Sequence, residues 1–368
     1  MAKILIYDLK TEGHHIEYLH HLYQGALESK DKFVFAVGKD FEKRSVDFQW
    51  DKADNISFIY IENEEGEGGI LKKSWRMNRQ LKKVVKEVKP DKIFLNTLMN
   101  FMPFLPYSVG ESKVSGIIYS IYLHDLATAS FLNKLSNKLK YRLLSRKKSI
   151  ENVFILNDND SVLKLNEIWK TNKFKDLTDP YIPFKIEEIK DLRDELDVAE
   201  DKQIILHLGY LEERKGTLEV TDMIENTPDD ECRKYCIVFA GRIDNDIKEQ
   251  FFNRIELLKD KIQIITKIEF LPYDYMGSLV YTADKVVLPY RIVNASSGII
   301  GYCAQFKTPV YVPAKGLIGK LVEDYHIGRA VEKFNSLNDL EDIDINDCNY
   351  CDSHTVGAFI DDVFKNLS

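Results

Sequence analysis

Short runs of β-branched and aromatic residues alternate along this chain with longer segments of helical period, and the alternation predicts the fold. In the first half the apolar runs are KILIYD, FVFAVG, ISFIYI, KIFLNT, GIIYSIYL and NVFILN, most of them separated by amphipathic stretches. A second series follows: QIILHLGYL, KYCIVFAG, KIQIITKIEF, KVVLPY and TPVYVP, alternating with helical patterns at 216–226, 246–259, 273–283, 297–306 and 317–326. Strands that alternate with helices build parallel sheets covered on both faces. The fold class expected is therefore α/β, with two doubly wound domains facing each other across a cleft. The segment TDPYIPFKIEE, Thr178 to Glu188, carries two prolines and no clear period, and reads as the linker. It divides the chain into an N-terminal domain, 1–182, and a C-terminal domain, 183–352. Residues 353–368 hold an amphipathic helix with Val356, Phe359, Ile360, Val363 and Phe364 on one face, expected to cross back to the first domain.

Composition supports two real cores: 368 residues, 44% hydrophobic and 11% aromatic, exclude wholesale disorder. The opening MAKILIYDLK reads as a strand rather than a secretion signal or a membrane span, and no run reaches the apolar length of a span, so a cytoplasmic location is expected. The net charge of −8 is unevenly spread. Residues 1–182 carry 29 Lys and Arg against 24 Asp and Glu, and the remainder 22 against 35. The basic excess lies in KKSWRMNRQLKKVVKEVK, Lys72 to Lys89, and NKLSNKLKYRLLSRKK, Asn133 to Lys148, the second without a single acid. Two readings stand: a solvated helix face, or attraction to an anionic surface such as the inner face of a membrane carrying lipid-linked substrates. No nucleic-acid module accompanies these residues, so no nucleic-acid partner is expected.

Five cysteines, at 232, 236, 303, 348 and 351, form no disulfide framework. CNYC at Cys348–Cys351 has metal-ligand spacing without a matching second pair, and reads as a surface coincidence. His14, His20 and His21 could suggest metal ligands, but surface histidines on a helix are the simpler reading. No metal is expected. DND at Asp158 and again at Asp244 reads as surface turns.

Open α/β sheets bind ligands at the carboxyl ends of their strands, so those residues are the ones to read closely. In the second domain the first strand runs into HLGYLEERKG, with Gly209, Arg214 and Lys215; the second into FAGRID, with Gly241 and Arg242; the fourth into PYR and then Ser296, Ser297 and Gly298. Two hydroxyls and a glycine at the mouth of a helix serve either as a helix cap or as a cradle in which backbone N–H groups hold a phosphate.

GYLEERKG, FAGR, IEFLPYDYMGSLVYTADKVVLPY, NASSGIIGYCAQFKTPV and KGLIGKLVEDYHIG, in this order over about 120 residues, resemble the C-terminal domain of the retaining glycosyltransferases of the two-Rossmann (GT-B) fold, the glycosyltransferases group 1 family. Over the first domain the resemblance rests on two short motifs, the glycine loop of KILIYDLKTEGHHIEYLHHL and the His-Asp of SIYLHDLATA. The resemblance implies that Lys215, with Arg214 beside it, contacts a donor diphosphate. It implies the same of the helix start at Ser296, Ser297, Gly298 and Ile299, and of Gly13. Gly209, Arg242, Ile268, Phe270 and Leu271 would serve the nucleotide base and ribose. His124 would be the active-site histidine, with Asp125 orienting it, and His14 and His15 would lie on the acceptor side. The sequence departs from the family at Tyr210, where an arginine is usual, and at Ala295 and Cys303, which occupy the positions of a glutamate pair.

The implied activity is transfer of a sugar, with retention and without a metal, from a UDP- or GDP-sugar to an acceptor hydroxyl on a growing glycan or lipid-linked saccharide. The nucleotide sugar is a substrate, and no cofactor is implied. Two other readings share the architecture: a degenerate relative that binds nucleotide sugar or a partner transferase, favoured by the missing glutamates, and a nucleotide-sugar epimerase, which would need acid and base carboxylates facing the sugar.

Overall fold

The computed structural model of the chain describes all residues except 12–13, 47, 65–67, 120, 122, 124–129, 295 and 368, with no side chain described for His14. Two compact units are formed, one of Met1–Pro180 with Val356–Ser368 and one of Tyr181–Thr355. The division falls inside the two-proline segment, which is irregular until a single 3-10 turn at Ile186–Glu188.

The first unit alternates β1 (Lys3–Asp8), α1 (His14–Leu27), β2 (Lys32–Gly38), α2 (Phe41–Arg44), β3 (Ile56–Ile61), α3 (Ile70–Val88), β4 (Lys92–Leu95), β5 (Lys113–Ile118), α4 (Phe131–Arg146), β6 (Ile150–Leu156), α5 (Asn159–Trp169) and β7 (Phe174–Leu177). The seven strands lie in the order β3-β2-β1-β4-β5-β6-β7, all parallel. Parallel strands inside a sheet are covered on both faces, which is why the central ones appear in the sequence as unbroken apolar runs. The edge strand β3 instead has no fully buried position, only half-buried and exposed ones. GIIYSIYL ends as a strand at Ile118, short of the expected length.

The second unit repeats the scheme: β8 (Gln203–Leu208), α6 (Thr217–Asn226), α7 (Asp229–Cys232), β9 (Tyr235–Ala240), α8 (Asn245–Leu258), β10 (Gln263–Lys267), α9 (Tyr273–Thr282), β11 (Lys285–Val287), α10 (Gly298–Phe306), β12 (Val310–Pro313), α11 (Gly316–Asp324), β13 (Gly328–Val331) and α12 (Tyr350–Ser353). Its parallel sheet has the order β10-β9-β8-β11-β12-β13. Neither DND is a free turn. Asp158 is buried and caps α5, accepting from Ser161 N at 3.0 Å, and Asp244 caps α8, accepting from Asp246 N at 2.9 Å. Each carboxylate thereby satisfies a backbone donor that the first helical turn leaves without a partner.

The last helix, α13 (Val356–Leu367), belongs to the first unit and packs on α1. Gly25 makes this possible: a Cβ there would stand 2.5 Å from Phe364 Cε2 and 2.8 Å from Ile360 Cγ2. The helix end is held by side chains that reach its free carbonyls, Asn152 Nδ2 donating to Asn366 O at 3.0 Å and Lys92 Nζ to Leu367 O at 2.5 Å. Phe359, fully buried, stacks on Tyr18 at 5.4 Å and meets the edge of His21 at 5.8 Å. His21 is thus not the surface histidine expected. Burial under α13 holds its imidazole neutral, with a pKa lowered to about 4.

Phe359→Ala should destabilise the first unit by about 3–5 kcal/mol, the usual cost of emptying a buried aromatic site. Urea denaturation followed by near-UV circular dichroism measures it. A loss below about 1 kcal/mol would mean that α13 contributes little to that core.

Candidate functional site

In the second sheet β8 and β11 are neighbours, yet β8 leads by way of α6 to β9 on one side and β11 by way of α10 to β12 on the other. Such a reversal of winding opens a crevice at the carboxyl ends of the two strands. Gly209 follows β8 with φ 125° and Gly241 follows β9 with φ 124°. A Cβ on Gly241 would lie 1.9 Å from the Gly209 carbonyl oxygen, so only glycine lets the two strand ends turn side by side. The chain then makes a 3-10 turn at Glu213–Lys215 and enters α6 through Gly216, whose absent Cβ would stand 2.0 Å from Pro289 O.

That close approach brings the loop after β8 against the residues after β11. The Lys215 ammonium lies 5.5 Å from the centre of the buried Tyr290 ring and 3.2 Å from where a Cβ on Gly209 would be; Ile299 Cδ1 is 3.5 Å from the same point. Burial, reinforced by the charge of Arg214 and opposed by Glu212, lowers the Lys215 pKa. Its neighbours are paired: Arg214 with Glu212 at 2.6 Å, and Arg291 with both Glu213 and Glu219. Lys215 makes no ion pair among the described residues.

α10 begins at Gly298 with Ser297 in the N-cap position, but no side chain caps it. The Ser297 hydroxyl lies instead 3.3 Å from Tyr290 OH, so the choice between cap and cradle goes against the cap. Ser296 and Gly298 are half-buried and Ile299 is buried. On the far side, the Arg242 guanidinium sits 4.8 Å above the ring of Phe270, itself 73% exposed. Ile268 is half-buried against the core, and Leu271 is buried within it, so Leu271 offers no side chain to a ligand. Tyr210, where an arginine was expected, donates to Asp244 Oδ2 at 3.1 Å. Cys303 lies wholly in the core.

The first sheet reverses its winding between β1 and β4. Asp8, the last residue of β1, is buried and accepts from Asn96 Nδ2 at 2.9 Å, from Lys10 N at 3.1 Å and from His15 Nδ1 at 2.6 Å. His15 therefore has its ring orientation set by a carboxylate at the switch point. Neither Asp8 nor Asn96 was singled out from the sequence, nor was Tyr290, although each stands at or just past a strand end. Gly13, His124, Asp125 and Ala295 lie outside the described residues, and for His14 only the helical backbone is described.

His20 packs between Phe48 and Trp50 and does not join a metal set. Cys348 and Cys351 are half-buried, their thiols raised in pKa chiefly by that burial. Among the described residues no three His, Cys, Asp or Glu side chains gather as metal ligands, and no helix is long and apolar enough to cross a membrane.

No protein-family model and no curated protein matches the chain. Solved structures do. HepE (Alr3699) of Anabaena, in complex with UDP and glucose, is 14% identical, with 100% of this chain and 99% of that one covered and a TM-score of 0.71. WaaG, a glycosyltransferase involved in lipopolysaccharide biosynthesis, is 13% identical, with 90% and 88% covered and a TM-score of 0.65. A putative UDP-N-acetylglucosamine 2-epimerase from Listeria monocytogenes is 11% identical, with 100% and 88% covered and a TM-score of 0.57. At such identities the likeness is one of fold: the chain has the GT-B fold of two Rossmann-like domains, which glycosyltransferases and a putative epimerase share.

His207, beneath the crevice on β8, carries a pH prediction. Its Nδ1–H donates to Val287 O at 2.9 Å and its Nε2 lies 3.1 Å from Thr217 Oγ1, a fully bonded neutral ring. Burial lowers its pKa from 6.5 to about 4. Between those values the unfolded chain holds a proton that the native one does not. The neutral ring's contribution is thus complete above about pH 6.5 and is lost as pH falls toward about 4, amounting to roughly 3 kcal/mol. The drop in urea midpoint from about pH 7 to about pH 5 should be smaller in His207→Gln than in wild type. Equal drops would show that His207 does not titrate in this range.

Proposed function

We propose that the chain is a glycosyltransferase that moves a sugar from a nucleotide diphosphate donor to an acceptor hydroxyl. The observation that carries this reading is the half-buried Lys215 ammonium, without a carboxylate partner among the described residues, at the switch point between β8 and β11. A cation kept partly from water in such a place is stabilised by an anion that arrives with the ligand. In the proposed mechanism charge grows on the departing diphosphate. Lys215, Arg214 and the backbone N–H groups at Ser297–Ile299 stabilise it, with Ser296 and Gly13 completing the phosphate site.

The base and ribose lie along Gly209, Arg242, Ile268 and Phe270, with Leu271 supporting this wall from the core. In the first unit His124, oriented by Asp125, contacts the sugar or the acceptor hydroxyl, and His14 and His15 line the acceptor side. Transfer proceeds with retention and without a metal, onto a growing glycan or a lipid-linked saccharide at the inner face of a membrane, with the protein cytoplasmic or peripheral there. HepE, crystallised with UDP and glucose, supports UDP as the first nucleotide to try. The domain limits read from the sequence, 1–182, 183–352 and 353–368, stay part of this proposal.

One observation favours a second reading. Cys303 is buried in α10 where the group 1 family has a glutamate, and a core thiol makes no hydrogen bonds to sugar hydroxyls. A chain that binds the nucleotide sugar and regulates a partner transferase would fit this.

Thermal melting with UDP, GDP, dTDP, ADP and CMP separates the readings. One nucleotide at about a hundred times its Kd should raise the melting temperature by roughly 5–10 °C, and Lys215→Ala should remove the shift. No shift with any nucleotide would sink both readings. A shift without sugar transfer across a panel of acceptors would favour the regulatory one.

A further inference from the structure

We infer that the first unit docks on an anionic lipid bilayer, with the N-terminal half of α4 as the inserting element. This deepens the proposed function by naming the surface on which an acceptor would be met. The binding it predicts needs no transfer activity, so either can fail alone.

Helix α4 is held to its unit by its C-terminal half, where Tyr141, Leu144 and Ser145 are buried. Its start is fixed by Ser130, whose hydroxyl accepts from Asn133 N at 3.3 Å. Between these anchors residues 131–140 pack on almost nothing: only Asn137 and Lys140 are even half-buried. Yet this stretch carries Phe131, Leu132, Leu135 and Leu139, between 51% and 79% exposed. Helical spacing puts all four within an arc of about 100°, well away from the buried face. Single exposed apolar side chains are ordinary; four large ones on one helical stripe mark a surface that is covered in use.

Charge identifies the cover. Lys134, Lys138, Lys140, Arg142, Arg146, Lys147 and Lys148 surround the stripe, and no acid occurs from Phe131 to Lys148. Burial already lowers the pKa of Lys140, as expected for an ammonium beside apolar surface. Apolar anchors ringed by cations match the boundary between acyl chains and anionic headgroups, the leucines and phenylalanine entering and the lysines meeting phosphate. The same core layer also holds α3, whose first turns expose Ile70, Leu71 and Trp75 among Lys72, Lys73, Arg76 and Arg79, with Arg79 5.5 Å from the Trp75 ring. In a parallel sheet both helices start at the carboxyl ends of the strands, so the two apolar starts share one edge of the unit.

Vesicle flotation of the full chain tests this, using phosphatidylcholine alone or with about one third phosphatidylglycerol. The protein should float with the anionic vesicles only, and several-fold less at about 0.5 M salt, where headgroup attraction is screened. Leu132→Ser/Leu135→Ser should weaken binding roughly tenfold or more with unchanged thermal melting, because neither side chain supports the core. Lys134→Glu/Lys138→Glu should do the same through charge alone. Failure to float with either vesicle, equal binding to both, or undiminished binding by the variants would overturn the inference. So would a concentration-dependent dimer abolished by the leucine substitutions, which would assign the stripe to a second copy.

Discussion

Two glycines at the ends of neighbouring strands determine what the second unit can hold. With Gly241 pressed against the Gly209 carbonyl, the chain leaves β8 low enough for the Glu213–Lys215 turn to reach the residues after β11. Gly216 then allows that turn to close on Pro289. Both contacts are shorter than any side chain permits, so the crevice exists only because Gly241 and Gly216 carry none. Lys215, Tyr290 and the uncapped start of α10 come together as a consequence. The catalytic reading therefore rests on backbone proximity before it rests on any charged group.

The switch points of the two sheets carry opposite chemistry. At the switch point of the second sheet stands an ammonium over an aromatic ring; at that of the first stands a buried carboxylate, Asp8, bonded to Asn96 and His15. A cation suits a phosphate. A carboxylate-held imidazole suits a hydroxyl that must be oriented or relieved of its proton. This division agrees with a donor on one sheet and an acceptor on the other, and follows from which side chains were placed at two topologically equivalent points.

How much of this could be read from the sequence depended on how local the cause was. Central parallel strands announce themselves because burial on both faces demands continuous apolar runs; all nine were legible, together with the edge strands β3 and β10. β7, FKDL, and β13, GRAV, were not: both are four-residue edge strands with little apolar content. Lys215, Gly209, Ser297 and Arg242 could be singled out because each sits at a strand end or helix start, and Phe270 by resemblance; that Arg242 stacks on Phe270 could not. Asp8 with Asn96 was not legible, since the two are joined across 88 residues and neither belongs to a motif. His21 was misread for the same reason: the helix that buries it arrives more than three hundred residues later. Likewise, the basic content of α4 was visible in the sequence, but not that its apolar side faces away from the core.

That late arrival of α13 has a consequence for synthesis. The first unit lacks one wall until the second has been made in full, because the 175 residues of Tyr181–Thr355 intervene before Val356. At ribosomal rates of about 5–20 residues per second this lasts roughly ten to forty seconds. Throughout that interval α1 presents Tyr18, His21 and the groove at Gly25 uncovered to the solvent. The first unit therefore completes its packing only after α13 has emerged, with that apolar surface exposed until then.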